Sequence, residues 1–233
     1  MMPRQVELIA QLSSPFIIQN MNPIQTLDDV AEGLDALKGL DPRLIPVIES
    51  AGPVPLRLRE PSLGSLMKIV VSQQVSVQSA AAIWGRFEAV FNPAAPAQIA
   101  KATDEEMQAV GLSRPKIKTL RAIAIEALEN DLDCPSLMGK PQDVVNDRLT
   151  SIHGVGPWTG EVFTLFCLGH PDIFPVGDVA LQHGVQQAFA LDERPKGDVL
   201  AAIAKQWSPW RGVAARLFWA YYATYKKRAA LPI

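Results

Sequence analysis

Two features of the segment 149–178 combine residue types and spacing that could do chemistry. The first is a turn, Gly154-Val155-Gly156, between two segments of helical character. The second is a single carboxylate, Asp178, which follows a Pro-Val-Gly turn at the start of the next helical segment. Glycines let a backbone approach a phosphate closely, and a fixed carboxylate stabilises a developing cation. Together they predict an enzyme that binds DNA and cleaves a bond to a base.

The glycine turn is positioned by the helical segments on either side of it. Pro157 suits the first position of the second helix, and Val155 is expected to pack the two helices together. The amides that open the second helix lack intrahelical partners and therefore form an anion site. A plain helical hairpin with a glycine turn is the alternative interpretation. The longer pattern Pro157-Trp158-Thr159-Gly160, with Asp178 downstream, favours phosphate binding.

The composition is that of a soluble protein with a sizeable core. The 233 residues suffice for one large domain or two small ones, with 48% hydrophobic and 20% charged residues. No apolar stretch is long enough to span a bilayer, and the N-terminus lacks the apolar run of a secretory signal. We therefore expect an intracellular protein without a membrane partner, cytoplasmic and nucleoid-associated if bacterial.

The net charge of −2 disfavours a nucleic-acid ligand, because phosphate binding normally requires a basic surplus. A balanced chain can still bind DNA if its basic residues cluster or if backbone amides contribute. The two cysteines, Cys134 and Cys167, cannot supply a four-cysteine iron–sulfur cluster. The three histidines lack paired spacing, which disfavours a catalytic zinc site. We expect no required cofactor.

The apolar periodicity predicts an all-α fold, because apolar residues recur three or four apart along most of the chain. Alternating strand patterns are hard to find. Two clear stripes are Ile117, Leu120, Ile123, Ala127 and Leu128, and Trp210, Ala214, Leu217, Tyr221 and Tyr225. Further helices are expected near 26–38, 62–72, 76–91, 104–110, 142–151, 157–168, 178–189 and 197–206.

Several blocks, in one order, resemble the helix-hairpin-helix DNA glycosylases of base-excision repair. Among these, the chain is most similar to the 3-methyladenine DNA glycosylase II type, over about residues 60–225. The blocks, besides the hairpin, are Ile69-Val70-Val71-Ser72-Gln73-Gln74-Val75-Ser76, Gly111-Leu112-Ser113-x-x-Lys116, Phe174-Pro175-Val176-Gly177-Asp178 and Pro209-Trp210-Arg211.

The resemblance implies a two-lobed helical fold with the active site in the cleft between the lobes. One lobe would comprise about 1–73 plus 175–233, and the other about 74–174 with the hairpin. The chain lacks the β-rich N-terminal domain of some members, so its first 50 residues would supply a shorter substitute. No dimer signal is present, and we expect a monomer.

The resemblance assigns catalysis to Asp178, which would stabilise the sugar cation and help the attacking water. The alternative, that Asp178 only caps the helix beginning at Val179, is compatible with catalysis. Relatives that also cut the strand place a lysine two residues after the second glycine, where this chain has Trp158. Without that amine no Schiff base forms there, which implies a monofunctional enzyme.

The resemblance also implies a base pocket and a DNA-contacting turn. Trp158 and Trp210 match aromatic pocket positions, although each could equally be core, and Val162 replaces a tyrosine of some relatives. Gln73 and Gln74 would lie near the gap left by a flipped nucleotide, or else form a solvated helix junction.

Two further sets of contacts complete the prediction. Lys116, with Arg114 and Lys118, would contact phosphate or else form a solvated helix start. Thr159 would join Gly154, Val155 and Gly156 at the DNA. By analogy with relatives, a monovalent or divalent cation would bind the backbone carbonyls of Thr150, Ile152 and Val155.

These observations predict a monofunctional glycosylase that hydrolyses the N-glycosidic bond of alkylated purines in double-stranded DNA and leaves an abasic site. A glycosylase for deaminated or oxidised bases is one alternative. A non-catalytic helix-hairpin-helix module that only binds DNA is another, and such a module should tolerate replacement of Asp178.

Overall fold

The computed structural model describes residues 22–229, which form α-helices and two short 3-10 helices without a β-strand in that range. The predicted all-α fold is confirmed. No helix in 22–229 combines the length and apolar character needed to cross a membrane. The helices are α1 Leu27–Leu40, α2 Ile45–Ala51, α3 Leu63–Ser72, α4 Val77–Val90, α5 Pro96–Lys101, α6 Asp104–Ala109, α7 Arg114–Glu129, α8 Gln142–Thr150, α9 Pro157–Phe166, α10 Val179–Ala188, α11 Gly197–Lys205 and α12 Arg211–Ala229. The 3-10 helices are Pro42–Leu44 and Pro135–Leu137.

Reciprocal capping hydrogen bonds fix where two of these helices begin. Thr26 accepts a hydrogen bond from the Asp29 amide at 3.1 Å, and the Asp29 carboxylate accepts one from the Thr26 amide at 2.8 Å. Thr103 and Glu106 repeat this pattern at the start of α6. Each pair satisfies amides that the first helical turn leaves without partners.

The chain divides into two compact units, between Leu58 and Arg59 and again between Leu168 and Gly169. The family resemblance implied divisions near residues 73 and 174. The difference at the first division concerns α3. This helix packs against α4, α7 and α9, so it belongs with the unit that contains the hairpin.

The Arg59–Leu168 unit is built around α3 and α7. α3 contacts α4, α7 and α9, while α7 also contacts α5 and α6, and α8 packs on α9. Large apolar side chains from these helices are fully or almost fully buried, and burying each contributes about 1.5–3 kcal/mol. They include Met67, Val70, Phe87, Ile99, Met107, Leu120, Val145 and Phe163.

The second unit is built on α12, which contacts α1, α2 and α10. Its core is aromatic: the Trp207 and Phe218 rings lie 5.0 Å apart, and the Phe174 ring lies 5.3 Å from that of Trp207. The buried Trp207 Nε1 donates to Asp41 Oδ2 at 3.0 Å, which satisfies the indole donor.

A buried carboxylate, Asp172, ties the segment before Asp178 to the start of α12. Asp172 is fully buried and receives two hydrogen bonds from Arg211, at 2.7 Å to Oδ1 and 2.8 Å to Oδ2. The Ser208 hydroxyl donates to Oδ2 at 2.8 Å. Bidentate pairing of this kind offsets the cost of burying the charge.

Replacing Asp172 with Asn should lower the free energy of unfolding by about 2–4 kcal/mol, because Arg211 then faces a neutral amide and loses a charged acceptor. Urea unfolding of the whole chain measures this loss. Asp35→Asn is the matched control, since Asp35 pairs with Lys38 on the exposed surface of α1. The control should change stability by less than about 1 kcal/mol. Equal losses in the two variants would contradict the assignment.

Candidate active site and nucleic-acid interface

The turn 151–156 joins α8 to α9 and is anchored by two buried side chains. Ile152 and Val155 are almost fully buried, and the Val155 amide donates to the Ile152 carbonyl at 3.0 Å. α9 begins with Pro157 immediately after the turn, as a missing amide and a fixed φ favour. Core packing of Ile152 and Val155 therefore holds the turn in place, and the backbone of the turn faces the solvent.

The two glycines of the turn serve different purposes. Gly154 has φ +82°, and a methyl group there would overlap the Thr119 hydroxyl on α7. Gly156 has φ −90° and would accommodate a methyl group with no atom within 4 Å. The fold therefore requires glycine at 154 for both conformation and space. At 156, it leaves an open approach to the backbone.

The turn presents backbone donors that the protein itself does not use. Within residues 22–229, the amides of His153, Gly154 and Gly156 donate no hydrogen bond, and no side chain caps α9. The helix dipole adds partial positive charge at the same end. Unpaired donors at a helix start form a favourable environment for an oxyanion.

The carbonyls proposed to bind a cation belong to the same turn. The Ile152 carbonyl accepts one hydrogen bond from Val155, which leaves a second lone pair. The Thr150 hydroxyl donates to the Asn146 carbonyl at 2.8 Å and is therefore occupied. The predicted cation ligand at this position is the backbone carbonyl of Thr150. No group of three His, Cys, Asp or Glu side chains in the described residues could hold a metal. The cation site stays a prediction that depends on backbone oxygens.

Gln73 links the end of α3 to the first turn of α9. Its Nε2 donates to the Thr159 hydroxyl at 2.7 Å, and Thr159 is fully buried. Because Thr159 lies three residues beyond Gly156, this bond connects the hairpin to the turn after α3. Both residues were predicted to contact DNA, and the structure gives each a contact within the protein.

Lys116 holds the same end of α3 from a different helix. Its ammonium donates to the Val71 carbonyl at 2.7 Å and to the Gln73 carbonyl at 2.8 Å, and burial lowers its pKa. Cations at helix C-termini are stabilised by the unpaired carbonyls there. Lys116 thus has a structural partner, and its predicted contact with DNA stays a prediction.

Gln74, next to this support, has an unusual backbone conformation. Its φ is +55°, a left-handed value that costs a non-glycine residue about 1–3 kcal/mol. Its side chain is exposed, and Val77, three residues on, is 89% exposed. Backbone strain of this kind is found most often at functional sites.

α9 carries Trp158 on its first turn and a titratable neighbour, Glu161, three residues later. Both side chains are partly exposed, and burial raises the pKa of Glu161 to about 7. Residues three apart lie on the same side of a helix. Near neutral pH, Glu161 therefore brings less negative charge to this part of α9 than an ordinary glutamate would.

Asp178 in the other unit is held by two donors. It is the N-cap of α10, and its Oδ1 accepts hydrogen bonds from the Leu181 amide at 2.9 Å and from Trp219 Nε1 at 3.1 Å. The capping role is therefore present. Because two donors converge on one oxygen, the orientation of the carboxylate is fixed.

The tryptophan that reaches Asp178 is Trp219, a residue that the sequence analysis missed. Trp210 is half-buried and packs on α1: a methyl group on Gly33 would come within 2.7 Å of its Cε3 atom. Its pocket role stays a prediction. Both tryptophans are on or beside α12, and Trp219 is off the apolar stripe that was read along that helix. No local signal could identify a contact between residues 41 positions apart.

A family model and several known proteins match this chain. The model described as "HhH-GPD superfamily base excision DNA repair protein" matches residues 67–209, which include the hairpin and Asp178. The Bacillus subtilis protein YfjP is 29% identical over 185 residues, which are 74% of this chain and 63% of YfjP. The chain thus spans less than two thirds of that relative.

Two solved structures are similar over most of their length. The 3-methyladenine DNA glycosylase Mag1 of Schizosaccharomyces pombe, in complex with abasic DNA, has a TM-score of 0.74 and 28% identity, covering 81% of this chain and 95% of that one. A DNA-3-methyladenine glycosidase from Bacillus halodurans has a TM-score of 0.69 and 33% identity, covering 84% and 91%.

Alanine substitutions at the two glycines should separate folding from ligand approach. Gly154→Ala should lower the free energy of unfolding by more than about 1 kcal/mol, because of its positive φ and the overlap with Thr119. Gly156→Ala, the matched control, should leave stability unchanged or slightly higher and yet weaken duplex binding by projecting a methyl group toward the phosphate. Thermal unfolding and duplex binding measure the two effects. Equal stability of both variants would contradict this account of the turn.

Proposed function

We propose that this chain, which belongs to the HhH-GPD superfamily of base excision DNA repair proteins, hydrolyses the N-glycosidic bond of alkylated purines in duplex DNA and leaves an abasic site. The observation that carries the proposal is Asp178, a carboxylate fixed by two donors at a helix start. The names of its relatives support the substrate class, since Mag1 and the Bacillus halodurans protein are both named for 3-methyladenine.

The carboxylate of Asp178 supplies a fixed negative charge, which the uncatalysed reaction in water lacks. Departure of the base leaves positive charge on the sugar, and a carboxylate held in place stabilises that charge more than it stabilises the neutral sugar of the ground state. The Leu181 amide and Trp219 Nε1 hold the carboxylate before the reaction, so no reorganisation is needed as charge develops. The same group orients or deprotonates the attacking water.

An alkylated purine makes modest demands on the rest of the site. Alkylation at a ring nitrogen makes the base cationic, so it leaves readily without a strong general acid. An aromatic face attracts such a cation. Trp158, partly exposed on the first turn of α9, offers that face. Glu161 follows it on the same side of α9, and its pKa of about 7 lets it donate a proton near neutral pH.

The Arg59–Leu168 unit supplies the contacts to the DNA strand. The unpaired Gly156 amide, at the start of α9, suits one backbone phosphate. The strained, exposed Gln74 suits the gap that a flipped nucleotide leaves in the stack. The complex of Mag1 with abasic DNA supports DNA as the ligand of this chain.

The enzyme is monofunctional in this proposal. A glycosylase that also cuts the strand needs an amine nucleophile, and the position two residues after Gly156 is Trp158. The expected product is therefore an intact strand with an abasic site. Breaks should appear only after alkali.

Asp178→Asn is the deciding test. Asn also caps a helix, so the variant should fold and bind duplex DNA as the wild type does. Base release from methylated duplex should fall by at least about 100-fold, as expected when electrostatic stabilisation of the transition state is removed. The measurement is free methylpurine per enzyme, with strand breaks scored before and after alkali. Asp198→Asn, an exposed acid in α11, is the matched control.

Two outcomes would reject the proposal in different ways. If the wild type binds duplex tightly and releases no methylpurine, the chain is either a glycosylase for deaminated or oxidised bases or a binding module. Release from substrates with those other bases separates these two. If Asp178→Asn releases methylpurine at the wild-type rate, the assignment of the carboxylate is wrong.

Trp219→Phe should slow base release by about 10-fold in single turnover, because it removes one donor to a charged acceptor while keeping an aromatic ring. Trp210→Phe is the comparison, since Trp210 packs on Gly33 and donates nothing to Asp178 in the described structure. Its effect should appear in stability more than in the rate. A larger rate loss for Trp210→Phe would instead favour the pocket role that the family resemblance implies for Trp210.

A further inference from the structure

We propose that a cavity of about 340 Å³ beside the hairpin holds a second phosphodiester of the DNA backbone, bound by the side chains of Arg114 and Lys118. The inference rests on the proposed function only in taking DNA as the ligand. This inference gives Arg114 and Lys118 a binding role that is separate from the role proposed for the hairpin amides.

Three elements of the Arg59–Leu168 unit form the cavity. α3 contributes its C-terminal end, α7 its first turns, and the hairpin its outward backbone. The volume is at the lower end of the range for ligand sites in proteins. The lining residues are Val70, Gln73, Arg114, Pro115, Lys116, Lys118, Thr119, His153 and Gly154.

The charge at the cavity is positive and uncompensated. Arg114 and Lys118 are exposed, and neither has an ion-pair or hydrogen-bond partner among residues 22–229. None of the lining residues is an aspartate or glutamate. The two cations stand at i and i+4 on α7, an arrangement of like charges that destabilises the helix unless an anion joins them.

Neutral donors face the same cavity. Both His153 and Gly154 line it, and their amides donate to nothing in the described part of the chain. Ser113, the N-cap of α7, makes no side-chain cap, so the first amides of that helix also add partial positive charge. Two cations and unpaired amides around one opening match the charge and the oxygen acceptors of a phosphate.

The third basic residue of the cluster has a different task. The Lys116 ammonium already donates to the carbonyls of Val71 and Gln73. It therefore forms a wall of the cavity and positions the end of α3, while Arg114 and Lys118 remain for a ligand. The three basic residues look alike in the sequence, but in the structure Lys116 supports α3 whereas Arg114 and Lys118 face the cavity.

The salt dependence of duplex binding tests this proposal. Each lost phosphate contact reduces the slope of log K against log salt concentration by about 0.9. The double variant Arg114→Gln/Lys118→Gln should lose about that much relative to the wild type, equally on damaged and undamaged duplex. Lys101→Gln, an exposed cation at the end of α5 that does not line the cavity, is the matched control and should keep the wild-type slope.

Two further arms separate the sources of phosphate and the failure modes. Arg114→Lys/Lys118→Arg keeps both charges and should restore the slope. Inorganic phosphate is titrated against the wild type and the double variant without DNA. A double variant that loses phosphate binding but keeps the wild-type duplex slope would overturn the proposal in favour of a free-anion site.

An unchanged slope in a double variant that melts at the wild-type temperature would also overturn it. The proposed function is tested separately by base release from the wild type. A reduced slope with no base release would leave the phosphate site standing and reject the glycosylase. Base release with an unchanged slope would support the glycosylase and reject the phosphate site.

Discussion

Three hydrogen bonds at the end of α3 hold together the elements of the Arg59–Leu168 unit to which we assign DNA contacts. The carbonyls of Val71 and Gln73 would otherwise lack partners at the helix terminus, and the Lys116 ammonium satisfies both. The Gln73 side chain then reaches the buried Thr159 hydroxyl on α9. Because these bonds join α3, α7 and α9, the hairpin, the strained turn and the basic cavity share one support.

The strain at Gln74 is understandable on this basis. A left-handed glutamine costs about 1–3 kcal/mol and persists only where its surroundings determine it. The residue before it is fixed through its carbonyl by Lys116 and through its side chain by Thr159. The turn is therefore fixed on its N-terminal side, and the Gln74 side chain that follows is exposed. This arrangement is compatible with the proposed place of Gln74 in the gap left by a flipped nucleotide.

In the other unit, the position of the Asp178 carboxylate likewise depends on hydrogen bonds made by neighbouring residues. Asp172, six residues earlier, is tied to Arg211 at the first position of α12. Trp219, two turns further along α12, donates to Asp178. One helix therefore both fixes the segment that precedes the carboxylate and orients the carboxylate itself. The buried Asp172–Arg211 pair is best explained by this positioning role, because buried pairs of this kind add little to stability over apolar packing.

The sequence predicts the parts of the site that follow from local chemistry. The all-α fold, the glycine turn before Pro157 and the helix start at Asp178 all have signals within a few residues. Trp219 could not be found in the same way, because its contact with Asp178 depends on how α12 is rotated about its axis against α10. The support of Lys116 for α3 spans 45 positions along the chain and likewise has no local signal.

Net charge was the sequence feature that argued most against DNA, and the structure shows why it is a weak argument. Formal charge counts side chains, whereas the hairpin offers unpaired amides, which add local positive potential and change no count. The basic side chains also differ in availability: Lys116 is bound to carbonyls, while Arg114 and Lys118 are exposed and unpaired in the described residues. Electrostatic attraction of a phosphate falls off over about 8 Å at physiological ionic strength, so the charges near the contact decide binding and the distant acids contribute little. A chain with a formal charge of −2 can therefore present a phosphate-binding surface.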